Sequence, residues 1–199
     1  NKELLSSMAP LQLSLGFIDE AFENYKKLVQ QSENAVEKSA FLAQLGHINN
    51  YYKGQPDKAS EYYQSAIDCL DTTQNRIRIA EIYLKWGTGL NTIDKYEKAI
   101  QMAPEGHQIR IRALANILYH YVLAGETERS KNIVIQIQDH VDSQDIDTRI
   151  EVLYSILIYH FYSGYYDKAE EYTLRLMEIA EAISDETRKI KYLLLLGGI

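Results

Sequence analysis

The sequence has few of the residues that mark loops, disulfides or membrane spans. Its 199 residues include only 3 prolines, 10 glycines and 1 cysteine. So little proline and glycine argues against a loop-rich or disordered chain, and a lone cysteine, Cys69, excludes an internal disulfide. The longest apolar runs, "YSILIYHFY" and "YLLLLGGI", are shorter than the roughly 18–20 residues of a membrane span. These absences predict an ordered chain without a membrane-spanning segment, and we expect it in the cytoplasm.

Basic charge and catalytic motifs are also scarce. The chain has 21 lysines and arginines against 28 aspartates and glutamates, a net charge of -7. An acidic chain has no general attraction for nucleic acid or anionic lipid. The sequence contains no GxGxxG, P-loop, HExxH or G-x-S-x-G motif, and its histidines show no metal-ligand spacing. We therefore expect no enzyme activity, no cofactor, no metal, and neither nucleic acid nor a membrane as a partner.

The sequence does contain an internal repeat. A glycine is followed five residues later by a small residue at five places: Gly16 and Ala21, Gly54 and Ala59, Gly87 and Thr92, Gly125 and Ser130, Gly164 and Ala169. Successive glycines are 38, 33, 38 and 39 residues apart. A fixed period in this range is the signature of repeat architectures.

Each of these glycines stands between two helical patterns. Before Gly164, "IEVLYSILIYHFY" carries apolar residues around much of a helix, as expected for a helix packed on two sides. After it, Ala169, Tyr172, Leu176 and Ala180 recur at three- and four-residue steps. Glycine suits the turn because it takes positive φ without a Cβ clash. The predicted unit is a helix, a tight turn and a second helix, with the small residue allowing close approach.

The repeat resembles the tetratricopeptide repeat (TPR), in which an A helix alternates with a B helix. The third unit carries the resemblance best, with Tyr83, Gly87, Tyr96, Ala99 and Pro104 at the family's spacing. The second unit matches at Gly46, Gly54, Ala59, Tyr63 and Ala66, and the fifth at Gly164, Ala169 and Tyr172. Most of the repeats are longer than the family's usual period of about 34 residues, as in bacterial regulatory proteins of this kind.

The resemblance implies an all-α fold, a right-handed α-α superhelix or TPR-like solenoid of five helix pairs plus a truncated sixth. We expect a single repeat domain over residues 1–199, itself part of a longer protein. The repeats are predicted at about residues 2–36, 39–72, 73–107, 110–146 and 149–187, with the start of a further repeat at 190–199. The predicted turn positions are Gly16, Gly54, Gly87, Gly125 and Gly164, with Ala21, Ala59 and Ala169 at the close contacts.

In this family the A helices line a concave groove that holds peptides or protein segments. The leading hypothesis is therefore a non-enzymatic scaffold that binds a protein or peptide through A-helix side chains. Spacing from the repeat anchors places these residues in the groove: Gln44, His47, Tyr51, Arg78, Glu81, Lys85, Arg112, Asn116, Tyr119, Glu151, Tyr154, Ile158 and Tyr162. Ser6 and Pro10 stand where the co-chaperone carboxylate clamp needs lysine and asparagine, so a chaperone tail is not the expected ligand.

Two other functions stay open. The first is an effector- or signal-sensing domain of a bacterial transcription regulator. The second is a structural spacer or self-association module that uses the apolar end "LLLLGGI".

Basic residues open several of the predicted A helices, as in "RIRI", "RIRA", "TRI" and "RKIK". Positive charge at a helix N-terminus interacts unfavourably with the helix dipole. We therefore expect these basic residues to have a compensating partner. Pairing with the acidic residues of the preceding connectors is one explanation. The other is a basic stripe that binds an acidic peptide, phosphate or nucleic acid.

Overall fold

The computed structural model describes residues 2–198, which form eleven α-helices, one short 3-10 helix and no strand. The helices are α1 (Lys2–Ser14), α2 (Ile18–Gln31), α3 (Ala35–Tyr51), α4 (Pro56–Asp68), α5 (Arg76–Leu90), α6 (Ile93–Met102), α7 (Gln108–Leu123), α8 (Thr127–Ile137), α9 (Ile146–Tyr162), α10 (Tyr166–Ala182) and α11 (Glu186–Leu196). The 3-10 helix, Gln138–His140, follows α8.

The helices pair in sequence order and group into two compact units. The N-terminal unit ends at Ala103 and contains α1 to α6; the C-terminal unit begins at Pro104 and contains α7 to α11. Odd-numbered helices are the A helices and even-numbered helices the B helices. The A helices α1, α3, α5, α7 and α9 each pack against the B helix that follows, and α11 packs against the preceding α10. Neighbouring A helices also pack together, α3 against α5 and α7 against α9. The single domain expected over the whole chain stays a prediction.

The turn inside each pair is built around one residue with left-handed backbone. Gly16, Gly54, Gly125 and Gly164 have φ between +60° and +84°. The backbone amide after this residue can donate to a carbonyl of the preceding helix, as Tyr165 N does to His160 O at 2.9 Å. The turn thereby caps carbonyls that would otherwise be unpaired at the helix end. The small residue five positions on, such as Ala59 or Ser130, is almost fully buried.

The third pair departs from the predicted turn. Gly87 does not lie in the turn but inside α5, and its carbonyl accepts the capping hydrogen bond from Thr92 N at 3.2 Å. Asn91 takes the left-handed position, with φ +55°, because asparagine tolerates that conformation better than most side chains. Tyr96, five residues after Asn91, is buried where the other pairs have a small residue.

Gly87, which lies inside α5, makes room for the large side chain of Tyr96 on α6. A Cβ on Gly87 would lie 2.8 Å from the ring of Tyr96, and one on Gly46 would lie 3.1 Å from the ring of Tyr63. In both pairs the A helix supplies the space and the B helix the aromatic ring. Close packing of this kind leaves no room for even one extra methyl group.

Burial differs between the two kinds of helix. In α9, nine of 17 residues are buried and they lie around most of the helix, whereas α10 buries only Ala169, Thr173, Leu176 and Ala180 along one stripe. Side-chain caps start some A helices: Asp145 accepts from Thr148 N at 2.8 Å and Asp185 from Arg188 N at 2.9 Å. In α9, therefore, only a narrow face is left for contacts with other molecules.

We expect Gly87→Ala to destabilise the chain by about 1–3 kcal/mol, although alanine is normally the better helix residue by about 0.5–1 kcal/mol. The reason is the 2.8 Å contact with the Tyr96 ring. Urea unfolding monitored by circular dichroism measures the change. In a Tyr96→Ala background the same substitution should become neutral or stabilising, and an equal loss in both backgrounds would contradict this packing account.

Candidate functional site

Three predicted groove residues meet where α7 and α9 pack together. Arg112 donates from Nε and Nη2 to Oε1 of Glu151, at 3.0 and 2.6 Å. Asn116 Nδ2 donates to the other carboxylate oxygen at 2.9 Å and to Arg112 O at 2.8 Å. Burial alone would lower the pKa of Arg112, but the hydrogen bond and charge of Glu151 outweigh it and raise that pKa. The two helices are thus joined by a half-buried charged cluster.

An aromatic and cationic row lies beside this cluster. The rings of Tyr119 on α7 and Tyr154 on α9 stack with centroids 6.5 Å apart. Lys191 on α11 places its Nζ 4.1 Å from the centroid of the Tyr154 ring, a cation–π distance. We call Tyr119, Tyr154 and Lys191 the aromatic row; it crosses all three A helices of the C-terminal unit.

The last two predicted groove residues of α9 differ from each other. Ile158 is only 7% exposed and packs in the core with Leu157 and Tyr192, so it contributes to the core rather than to an open face. Tyr162 is 61% exposed at the end of the helix. Tyr154 lies between these extremes, half-buried against the same core, and burial raises its pKa, with a further contribution from Tyr162.

The predicted residues of the N-terminal unit are less tightly connected. The His47 ring lies 4.5 Å from that of Tyr51, and burial together with the charge of Lys85 lowers the pKa of His47. Lys85 pairs with Glu81 at 3.4 Å on the exposed side of α5. Arg78 is exposed on the same helix and Gln44 is half-buried on α3. The structure thus brings His47 near Lys85 but forms no cluster comparable to that around Glu151.

Comparison with known proteins identifies the architecture. A tetratricopeptide repeat protein from Parabacteroides merdae matches 98% of this chain and 73% of its own, with a TM-score of 0.56 and 16% sequence identity. The chain has a tetratricopeptide-repeat fold. This confirms the all-α helical-repeat class predicted from the glycine spacing. No family model and no curated protein sequence matches the chain, and a likeness at this identity shows the fold alone.

The TPR fold places the basic helix starts in varied surroundings. Arg188 pairs with the preceding connector, at 3.4 Å from Asp185, as one explanation expected. Arg112 instead bonds the next A helix through Glu151, while Asp145 and Asp147 add to the field that favours its charge. Arg76 donates to Gln101 O at 3.1 Å. These three basic residues thus have three different kinds of partner, and a basic stripe that binds an anionic ligand stays a prediction.

Two features of α11 are absent from the predicted groove residues. Lys191 belongs to the basic helix start "RKIK", and only the folded structure shows that its Nζ lies over the Tyr154 ring of α9. Leu194 and Leu195 line a small cavity against α9. No sequence signal marks that cavity, because its other wall comes from a helix more than 30 residues away.

Across residues 2–198, no three or more histidine, cysteine, aspartate or glutamate side chains come together as a metal would require. Within the same range, none of the helices has both the length and the apolar character to cross a bilayer.

We expect Glu151→Gln to lower the free energy of unfolding by about 1–3 kcal/mol, because the half-buried Arg112 then has no carboxylate. Chemical denaturation checks this value. Glu81→Gln is the matched control: its pair with Lys85 is exposed, so the loss should stay within about 0.5 kcal/mol. Equal effects of the two substitutions would contradict a structural role for the Glu151 cluster.

A pH dependence is expected from His160, which is buried between α9 and α10 and stacks on Tyr172 at 5.5 Å. Burial lowers its pKa below 6.5; Lys168 lowers it further and Glu171 partly opposes this. Its stability contribution is therefore complete above pH 6.5 and is lost as pH falls through the folded-state pKa. Between about pH 7 and pH 5, the free energy of unfolding measured in urea should fall less for His160→Phe than for wild type. Equal losses would show that His160 is not the titrating group.

Proposed function

We propose that the chain is a non-enzymatic scaffold that binds a protein or peptide segment on the A-helix face of its C-terminal unit. The observation that carries this proposal is the aromatic row. Tyr119, Tyr154 and Lys191 lie side by side across three successive A helices, and each contacts the next. A row of this kind offers ring surface and a positive charge to one extended ligand.

The chemistry of the face favours a peptide over a small metabolite. Tyrosine rings provide contact area and a hydroxyl group at modest entropic cost. The neighbouring Arg112, Asn116 and Glu151 are held in place by hydrogen bonds to one another. A surface whose side chains are ordered before binding loses less entropy when the ligand arrives.

Rigid support under the face strengthens the proposal. Tyr119 and Tyr154 pack against the buried cluster of Leu153, Leu157 and Leu176. This packing restricts the rotamers that their rings can adopt. Helix-borne side chains on a packed core keep a more precise geometry than residues on loops. Specificity would come from the identity of these few side chains, while the helix pairs below them remain constant.

Site-specific photo-crosslinking tests this proposal. We expect p-benzoylphenylalanine in place of Tyr162 to crosslink a protein partner in cell extract, because that exposed ring borders the A-helix face. The matched control places the same group at Tyr166, which is also exposed but opens the B helix α10. Mass spectrometry identifies the products. Equal crosslinking from both positions, or none from Tyr162, would contradict binding on the A-helix face.

Self-association is a second candidate function. Ile190, Leu193 and Leu194 are exposed on α11, and exposed apolar groups of this kind commonly mark protein contacts. The same crosslinking experiment separates the two candidates. Self-association would yield products with the mass of two copies of this chain, whereas the scaffold would yield a product with a different protein.

A further inference from the structure

A small apolar cavity opens between α9 and α11. Its volume is about 170 Å³, and Leu157, Ile158, Phe161, Tyr162, Leu194, Leu195 and Gly198 line it. A cavity of roughly 150 Å³ lined by leucine, isoleucine and phenylalanine is large enough to hold a benzene ring. This cavity is therefore the right size for one apolar side chain, such as leucine, methionine or phenylalanine.

The cavity adjoins the aromatic row. Leu157 and Ile158 follow Tyr154 by three and four residues on α9, and Leu194 and Leu195 follow Lys191 by three and four residues on α11. Residues at these separations share one helix face, about 5.4 Å apart along the axis. The Lys191–Tyr154 contact thus lies one helical turn from the cavity, and a single ligand can reach both.

Lys191 is a cation without an acidic partner. Arg188 pairs with Asp185 and Lys189 with Glu181, but no carboxylate in residues 2–198 pairs with Lys191. Its ammonium group lies over the Tyr154 ring instead. A carboxylate from outside the chain would complete the pairing.

We propose that the cavity anchors an acidic peptide: one apolar side chain enters the cavity while a nearby carboxylate of the same peptide pairs with Lys191. This inference rests on the proposed peptide-binding function. In an extended peptide, residues i and i+2 point to the same side and lie about 6.6–6.8 Å apart, which is about 1 Å more than the one-turn offset and within reach of the flexible Lys191 side chain. The recognised pattern is therefore an apolar residue and an aspartate or glutamate separated by one residue.

Charge and polarity favour this occupant over other classes. A nucleic acid offers no apolar side chain for the cavity, and the chain's net charge of -7 opposes a polyanion. A short acidic peptide needs only the local charge of Lys191. A second copy of this chain remains the competing occupant, since Leu194 is 74% exposed.

Selection from a phage library of random linear peptides on the immobilised 199-residue chain tests the proposal. We expect enrichment of peptides with the apolar–any–acidic pattern, in either direction. The most enriched peptide is then synthesised with a fluorescein label, and its affinity is measured by fluorescence anisotropy. Replacing its apolar residue by alanine should weaken binding about tenfold or more.

Variants of the chain locate the binding site. Leu194→Asp places a charge at the cavity and should weaken binding of the labelled peptide about tenfold or more. Ile135→Asp is the matched control: Ile135 is also an exposed isoleucine, but it lies on the B helix α8 and outside the cavity. The affinity of this variant should therefore stay within about twofold of wild type. Lys191→Met should weaken binding of the acidic peptide. It should not weaken binding of the analogue in which asparagine or glutamine replaces the acidic residue. Circular dichroism verifies that each variant is folded.

The outcomes separate this inference from the proposed function. If no peptide is enriched over the support alone, both are wrong. If peptides bind but lack the pattern, or bind Leu194→Asp as well as wild type, the cavity is not the anchor site and the scaffold function still stands. If light scattering shows a dimer that Leu194→Asp converts to a monomer, the second copy is the occupant and the inference is overturned.

Discussion

The left-handed residue that ends most A helices is the constraint on which the helix pairs depend. It reverses the chain within a few residues and lets the turn cap the helix behind it. The reversal also brings a buried small residue of the B helix against its partner, as Ala169 does in the fifth pair. Once this turn is formed, the length of each helix decides which side chains meet across the pair.

Two of the helix pairs fit together through the same kind of contact. Gly46 of the A helix faces Tyr63 of the B helix in the second pair, and Gly87 faces Tyr96 in the third. The missing side chain of the glycine makes room for the ring, because a close-packed interior leaves little free volume. The glycine of this contact stands at different distances from the turn in the two pairs, so the contact is kept although the spacing is not.

Burial of nine of the 17 residues of α9 leaves only a narrow strip along this helix exposed. In the C-terminal unit that strip carries a charged cluster around Glu151, then the aromatic row, then an apolar cavity. Each step lies about one helical turn from the last. The half-buried charges of Arg112 and Glu151 join two A helices and so serve the structure, whereas Lys191 is exposed and contacts the Tyr154 ring.

Local sequence determined the helix–turn–helix unit, the number of pairs and most turn positions, because a turn depends on residues only a few positions apart. Tertiary packing alone decided the rest. Asn91 rather than Gly87 takes the third turn because the Tyr96 ring needs the space that Gly87 leaves. The bonds of Glu151 to Arg112 and Asn116 join residues 35 to 39 positions apart, and the cavity has walls from two helices. Such contacts depend on the register in which helices stack, which no short stretch of sequence encodes.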